Sequence, residues 1–257
     1  MSEAAVIDFN RHLMKEAAAS DAINGHLDAA LLLKRSKQER RQYLGASAIG
    51  DACERRAQFD YVGCDRDPDG EFKPKTLRKF DFGHMGEELA RAWFQDAGFK
   101  LTNTNQRTGR PFGFQQLDGR FRGHVDGVFL DGPKIEGVGY PCLWETKSTS
   151  AKTFREVAKH GLKKSRPGYY AQVAIYAAYL DLTEHPTIFT VTNLDSGEQL
   201  HLLIPFDAEE AQRMSDRAVR IIKAADAGEL LPRPFGSADY FECKFCSFSE
   251  RCWSLPS

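Results

Sequence analysis

Long apolar runs are missing from this sequence. No stretch approaches the about 18 uninterrupted apolar residues that a bilayer-spanning helix needs, so no membrane partner is expected. The opening MSEAAVIDFNRHLMKEAAAS has charges scattered through it. It lacks the short apolar run and small-residue cleavage site of a secretory signal, and the expected compartment is cytoplasmic. No GxxxxGK[ST] phosphate loop occurs, so no ATP-driven motor is expected in this chain. Internal repeats and low-complexity tracts are absent as well. Neither sign of charge is in excess: 35 Lys+Arg face 36 Asp+Glu, a net charge of −1, so total charge selects no partner. Cysteine is sparse, with 6 in 257 residues, and in a reducing compartment these are more readily metal ligands or free thiols than disulfides.

What is present is an ordinary folded composition, 42% hydrophobic and 28% charged, which excludes a disordered, collagen-like or coiled-coil chain. The length suits one large domain or two small ones. Charge is unevenly placed. Residues 147–170 carry seven Lys or Arg against the single acid Glu156, whereas residues 181–210 carry seven acids and no Lys or Arg. Further basic clusters are Lys34, Arg35, Lys37, Arg40 and Arg41, and Arg107, Arg110, Arg120 and Arg122. Such polarity can focus positive potential on one face, as a phosphate-backbone binder needs, although each cluster taken singly also suits a solvated surface.

Apolar spacing predicts a helix over 4–43, a short helix capped by Ser47 and running to about Tyr61, and a loop over 64–75. An amphipathic helix follows over 76–97, stopped at Gly98. Residues 121–130 and 137–148 read as strands, 151–161 and 167–182 as helices. Residues 186–194 and 198–206 read as a hairpin around Asp195-Ser196-Gly197, and 207–228 as a helix begun by Asp207. This order suggests an α/β core of mixed sheet with helical additions at both ends. The expected divisions are an N-terminal helical region 1–75, a core 76–230 and a cysteine-rich tail 231–257.

Trp144-Glu145-Thr146-Lys147 is the most informative segment. In a strand, Glu145 and Lys147 share a face and Thr146 takes the other. An acid beside a lysine suits metal-assisted hydrolysis, in which a carboxylate holds a hard divalent cation and the ammonium orients a water. The second acid such a metal needs is expected from Asp126, on the preceding strand, where Gly127 leaves room. Further along, Gln172 and Tyr176 lie four apart, on one face of a helix, and Glu87 follows Gly83 by four on another.

Glu87, Asp126, Glu145-Thr146-Lys147 and Gln172…Tyr176, in that order, resemble the PD-(D/E)XK nuclease superfamily, in the branch that includes the RecB nuclease domain. The matching motifs span 83–176; Val125 stands where the usual proline would precede the aspartate. The resemblance implies a restriction-endonuclease-like core, a mixed central sheet flanked by helices. It further implies that Glu87, Asp126 and Glu145, with the Thr146 carbonyl, ligate Mg²⁺ or Mn²⁺. Lys147 would position the attacking water, Gln172 would orient the lysine, water or phosphate, and Tyr176 would support that helix or touch the backbone. His84 is taken as a neighbour of the site rather than a ligand.

The tail reads Cys243-Lys244-Phe245-Cys246 and, five residues on, Cys252. Three thiolates so close imply a metal centre, and a soft centre takes four, so a distant partner is needed. Cys53 is the favoured fourth, with Cys64 as the alternative; Cys142 reads as a buried strand thiol. This layout resembles the iron–sulfur nucleases of the same superfamily, the AddB nuclease domain and the CRISPR-associated single-strand exonuclease. The resemblance implies a 4Fe–4S cluster on Cys53, Cys243, Cys246 and Cys252 that joins the tail to the N-terminal region. Spacing alone also suits four-cysteine zinc.

The expected function is therefore a Mg²⁺- or Mn²⁺-dependent DNA exonuclease acting on single strands or duplex ends. Its partners would be DNA and proteins of recombination, repair or CRISPR adaptation. Alternatives are a non-catalytic DNA-binding or adaptor module on the same fold, a site-specific endonuclease, and a zinc-stapled nuclease. Tyr169 and Tyr170 are weaker candidates for base stacking, and His124 for lining the site beside Asp126.

Overall fold

The structure, a computed structural model, describes residues 9–256. Its elements begin with α1 (Phe9–Ser36), β1 (Leu44–Gly45), α2 (Ala46–Ile49), α3 (Glu54–Tyr61) and α4 (Pro74–Asp96). Short strands follow: β2 (Leu101–Thr102), β3 (Thr104–Asn105), β4 (Arg110–Pro111), β5 (Gly113–Gln116), β6 (Phe121–His124) and β7 (Gly127–Phe129). The remainder comprises β8 (Cys142–Thr149), α5 (Ala151–Ser165), α6 (Pro167–Tyr179), β9 (Thr187–Asn193), β10 (Gln199–Ile204), α7 (Ala208–Asp226), α8 (Phe241–Lys244) and α9 (Ser249–Ser254). Residues 4–8 of the first expected helix lie outside the described residues.

Two compact units emerge. The smaller takes in the described residues up to Arg40 together with Phe72–Phe80. There Arg78 pairs with Asp28, Arg35 lies over the Phe72 ring, and Phe72 meets Phe80 edge-on at 5.1 Å. The larger unit, residues 41–71 and 81–257, holds both main sheets and every sequence-nominated site residue.

Its organising sheet runs β10-β9-β8-β7-β2. β8 pairs parallel with β9 and antiparallel with β7, so the sheet is mixed. Parity along β8 sorts the layers. Leu143 joins the larger apolar core with Phe189, Val191, Val157, Ile175, Met214 and Ile221, on the side of α5, α6 and α7. Trp144 joins a second core with Ala90, Leu101, Phe129 and Ile188, on the side of α4. β8 is thus buried on both faces at its start, as its continuous apolar run Cys142-Leu143-Trp144 requires. The fold is a mixed α/β architecture, a mixed sheet between helical layers, consistent with a restriction-endonuclease-like core.

Two expected elements turn out broken. Residues 121–130 form not one strand but two, β6 in a three-stranded sheet β1-β6-β5 and β7 in the five-stranded one, with Val125 and Asp126 between. The break has a polar cause: the Asp126 carboxylate, rather than a backbone carbonyl, accepts the Thr146 N–H at 2.9 Å. The expected helix from Ser47 to Tyr61 is likewise two helices. Gly45, not Ser47, stands at the N-cap of α2. α2 ends at Gly50, whose missing Cβ would lie 2.6 Å from Gly168 Cα; Asp51 then takes the Cys53 N–H at 2.9 Å before α3 begins. The expected hairpin forms as β9 and β10, turned with Gly197 at φ +78°.

Gly123 on β6 sits where three elements crowd. A Cβ there would lie 2.3 Å from Tyr176 Cε1, 2.8 Å from Ala46 Cβ and 2.9 Å from Phe114 Cε1. Gly123→Ala is expected to overpack this junction and cost about 1–3 kcal/mol in denaturant unfolding; an unchanged midpoint would show that the junction gives way freely. Asp207 caps α7 by accepting the Glu210 N–H at 3.0 Å, and also takes Lys163 at 2.9 Å and the Tyr170 hydroxyl at 2.8 Å. These donors, the Glu210 N–H foremost, pull its carboxyl down to about 2. Its folded value lies below its ordinary 3.8, so the stabilisation is complete above that pH and lost as pH falls toward 2. Asp207→Ala is expected to cost about 1–2 kcal/mol at neutral pH, with the difference from wild type shrinking as urea titrations are repeated from pH 4 downward.

Candidate active site

The site grows out of one register. Gly127 on β7 lies opposite Trp144 on β8. In an antiparallel pair, this puts Asp126 opposite Glu145. The Asp126 N–H donates to Glu145 Oε1 at 3.3 Å, while the Asp126 carboxylate takes the Thr146 N–H. Side chains thus continue the ladder where the backbone of β7 stops pairing. Gly127 allows the approach, since a Cβ there would lie 2.8 Å from Leu101 Cδ1 and 3.0 Å from the Trp144 ring.

Lys147 shares the Glu145 face of β8, as strand alternation requires. Its Nζ lies 3.4 Å from Asp126 Oδ2 and 3.5 Å from Glu145 Oε2. The Glu145 side chain is 0% exposed and that of Asp126 14%, so one ammonium serves two carboxylates largely removed from water. From α6, buried Gln172 donates its Nε2 to Glu145 Oε2 at 3.2 Å. Tyr176, one turn on, is buried against Gly123 and Phe114.

The charges strain one another. Burial, then the Asp126 charge, pushes the Glu145 carboxyl well above the usual carboxylate range. Burial pulls the Lys147 ammonium down, but Asp126, Glu145 and Glu87 together outweigh it and hold it up. Glu87, on α4, is raised by burial and then by Asp126, with Lys147 and His84 opposing. Glu87 therefore feels the Asp126–Lys147 pair electrostatically. The direct hydrogen bonds join Asp126, Glu145, Thr146, Lys147 and Gln172.

The sequence nominated Tyr169 for base stacking but not as a neighbour of Lys147. Its ring stacks on Phe189, and Lys147 Nζ lies 5.7 Å from its centroid. The signal was there: 169, 172 and 176 recur at three and four residues, one helical face. Tyr170, the other stacking candidate, is bonded to Asp207 and has Lys163 4.9 Å over its ring. His124 is exposed at the end of β6, and the break before Asp126 removes the strand alternation that would have put the two on one face.

Cys53, Cys243, Cys246 and Cys252 line one small cavity, together with Arg56, Arg233, Phe235 and Trp253. All four are free thiols. Burial first, with neighbouring sulfur charges adding, raises Cys53 and Cys246. Cys142 is also raised, to about 12, by burial alone, as a core strand thiol should be. Among the described residues, no three His, Cys, Asp or Glu side chains are drawn together closely enough to form a ready metal-binding group. At the carboxylates, the ammonium of Lys147 stands between the partners instead.

The tail and the α3 region are joined by hydrogen bonds. Arg55, fully buried, donates to the Leu231 and Pro256 carbonyls and reaches Cys252 Sγ at 3.9 Å. The Gln58 amide group donates to the Glu229 carbonyl and accepts from the Leu231 N–H. The Asp67 carboxylate takes the Glu250 and Arg251 N–H groups at the start of α9. Arg55, Gln58 and Asp67 thus tie the tail to the α3 region by hydrogen bonds.

The arrangement presents hard oxygen donors beside a fixed ammonium on the central strand of a mixed sheet. Among solved structures, the chain is similar to SSO0001, at 14% identity over 91% of this chain and 98% of that one, with a TM-score of 0.52. It is also similar to an alkaline exonuclease, LHK-Exo, from Laribacter hongkongensis, at 16% identity over 79% and 93% of the two chains and a TM-score of 0.51. The same exonuclease in complex with dAMP gives 16%, 74%, 90% and 0.50. At these identities the likeness speaks for the fold. No curated protein matches the chain. The PD-(D/E)XK nuclease superfamily matches it over residues 12–253, nearly its whole length, and the chain belongs to that superfamily.

Proposed function

We propose that this protein is a metal-dependent DNA exonuclease, and that Asp126, Glu145 and Lys147 form the centre of its active site. The observation that carries this reading is the shared ammonium: two carboxylates, Glu145 on β8 and Asp126 just before β7, the first fully buried, meet a single Lys147 Nζ at 3.5 and 3.4 Å. Three acids, counting Glu87, face one lysine, which leaves an excess of negative charge in a largely dry place. A hard divalent cation answers that excess, and oxygen donors are what Mg²⁺ or Mn²⁺ prefer. Asp126 and Glu145 would hold it, with the Thr146 carbonyl and Glu87 completing the set. When bound, such a cation supplies Lewis-acid stabilisation of charge on the scissile phosphate and its leaving oxygen.

The chain's own residues supply the rest. Lys147 orients the attacking water toward phosphorus and offsets charge that builds on the phosphate oxygens. Gln172 fixes the outer oxygen of Glu145, so that carboxylate is held in one rotamer. Tyr176 and Gly123 brace the helix that carries Gln172. The proposed substrates are single-stranded DNA or duplex ends, with recombination, repair or CRISPR adaptation as the setting. For the tail, we propose a 4Fe–4S cluster on Cys53, Cys243, Cys246 and Cys252. What supports it is that four sulfur donors border one cavity, as a soft metal centre requires.

Two experiments test these readings. With end-labelled DNA and Mg²⁺ or Mn²⁺, wild type is expected to digest linear single strands and to spare a circular one. Lys147→Ala and Asp126→Ala are expected to lose at least 100-fold in rate, the lower end of what removing one such group costs, while still binding DNA. Retained cleavage in both variants would refute the site. Separately, anaerobically purified protein is expected to carry iron and sulfide and to absorb broadly near 400 nm, roughly where thiolate-to-iron charge transfer falls. Stoichiometric zinc and no such band would replace the cluster with a zinc site.

A further inference from the structure

α5 leaves β8 just beyond Lys147. It turns Val157 and Leu162 into the core, and it exposes Lys152, Arg155 and Lys159. These three recur at three and four residues and so share one face. The one acid in the segment does not answer them. Glu156 is held by Arg166 at 2.9 Å, and Arg166 also donates to Thr153 Oγ1 at 3.0 Å. Asp195, at the head of the helix, accepts the Ala151 N–H at 2.8 Å. Lys163, past the kink at Gly161, is paired with Asp207. Lys152, Arg155 and Lys159 make no ion pair among the described residues.

Like charges at this spacing repel along the helix, and no carboxylate among the described residues pairs with them. A polyanion would. Seven residues of helix rise about 10 Å, which spans about three phosphates of one strand at its spacing along duplex DNA. Lys152 lies five residues from Lys147, so the two Cα atoms are at most about 18 Å apart. No large apolar side chain is exposed on α5, which disfavours a lipid surface, where apolar residues would be needed to enter the headgroup layer.

We propose that this face of α5 is a phosphate-backbone track that holds the nucleic-acid strand running to the active site. Its role in digestion rests on the nuclease reading, but its binding role does not. The test uses the full chain in EDTA, so that no cleavage occurs, with a single-stranded oligonucleotide of roughly 20 nucleotides titrated across a salt series. Replacing all three residues, by Lys152→Gln, Arg155→Gln and Lys159→Gln, is expected to weaken binding at least tenfold near 0.1 M salt. It should also flatten the slope of log affinity against log salt by about 2, since each lost single-strand phosphate contact removes about 0.7. A charge-keeping variant, Lys152→Arg, Arg155→Lys and Lys159→Arg, is expected to keep the wild-type slope.

An unchanged slope and affinity in the Gln variant would overturn the track, as would equal weakening in the charge-keeping variant. Loss of binding to anionic lipid vesicles with oligonucleotide binding intact would overturn it too. If wild type fails to cleave with Mg²⁺ or Mn²⁺ while the Gln variant still loses its salt slope, the track stands and the nuclease reading falls.

Discussion

The ammonium of Lys147 is what permits Asp126 and Glu145 to sit side by side. Two carboxylates drawn out of water at neighbouring strand positions repel each other, and each has lost hydration. One of them, Glu145, is fully buried. A lysine on the same strand face, two residues on, is the nearest cation that β geometry can supply, and it reaches both. The remaining lone pairs are met by the Thr146 and Asp126 N–H groups and by Gln172. The cluster is well satisfied in hydrogen bonds yet still negative in sum. That combination is poor for stability and good for holding a hard cation, a division of purposes expected at functional sites.

The surrounding fold can be read as the means of bringing these groups together. β8 runs through the middle of the sheet, so Glu145 has structure on every side. The chain deserts one sheet for another between His124 and Gly127, which puts Asp126 at a seam where its carboxylate replaces a backbone acceptor. α6 lies across that seam and carries Tyr169, Gln172 and Tyr176 on one face. Glycines mark close approaches here: Gly123 beneath Tyr176, Gly127 against Trp144, and Gly50 against Gly168.

Much of this was legible in the residues, for identifiable reasons. Glu145 and Lys147 follow from period-two alternation, and Gln172 and Tyr176 from the helical period; both patterns are local and survive without tertiary knowledge. The hairpin of β9 and β10 and the Asp207 cap were equally local. The single strand expected over 121–130 failed because nothing in alternation shows a side chain taking over a ladder position. The single helix expected from Ser47 failed because the close approach of Gly50 to Gly168 is a tertiary fact. The two-residue strands β1 to β4 carry too little pattern to register at all. Spacing grouped the three tail cysteines and the family resemblance favoured Cys53 as the fourth, but the hydrogen bonds of Arg55, Gln58 and Asp67 across the same junction were not anticipated, since those residues make no recognisable motif.

Those bonds bear on what it costs to close the chain. Arg55 meets Leu231 across 176 residues and Pro256 across 201. Closing so long a stretch of chain costs entropy before any contact repays it, whereas β9 with β10, or α6 with α7, are neighbours along the sequence. The clasp between α3 and the tail therefore carries the larger closure cost. A link held across that span therefore restrains the unfolded chain more than either nearby pairing does.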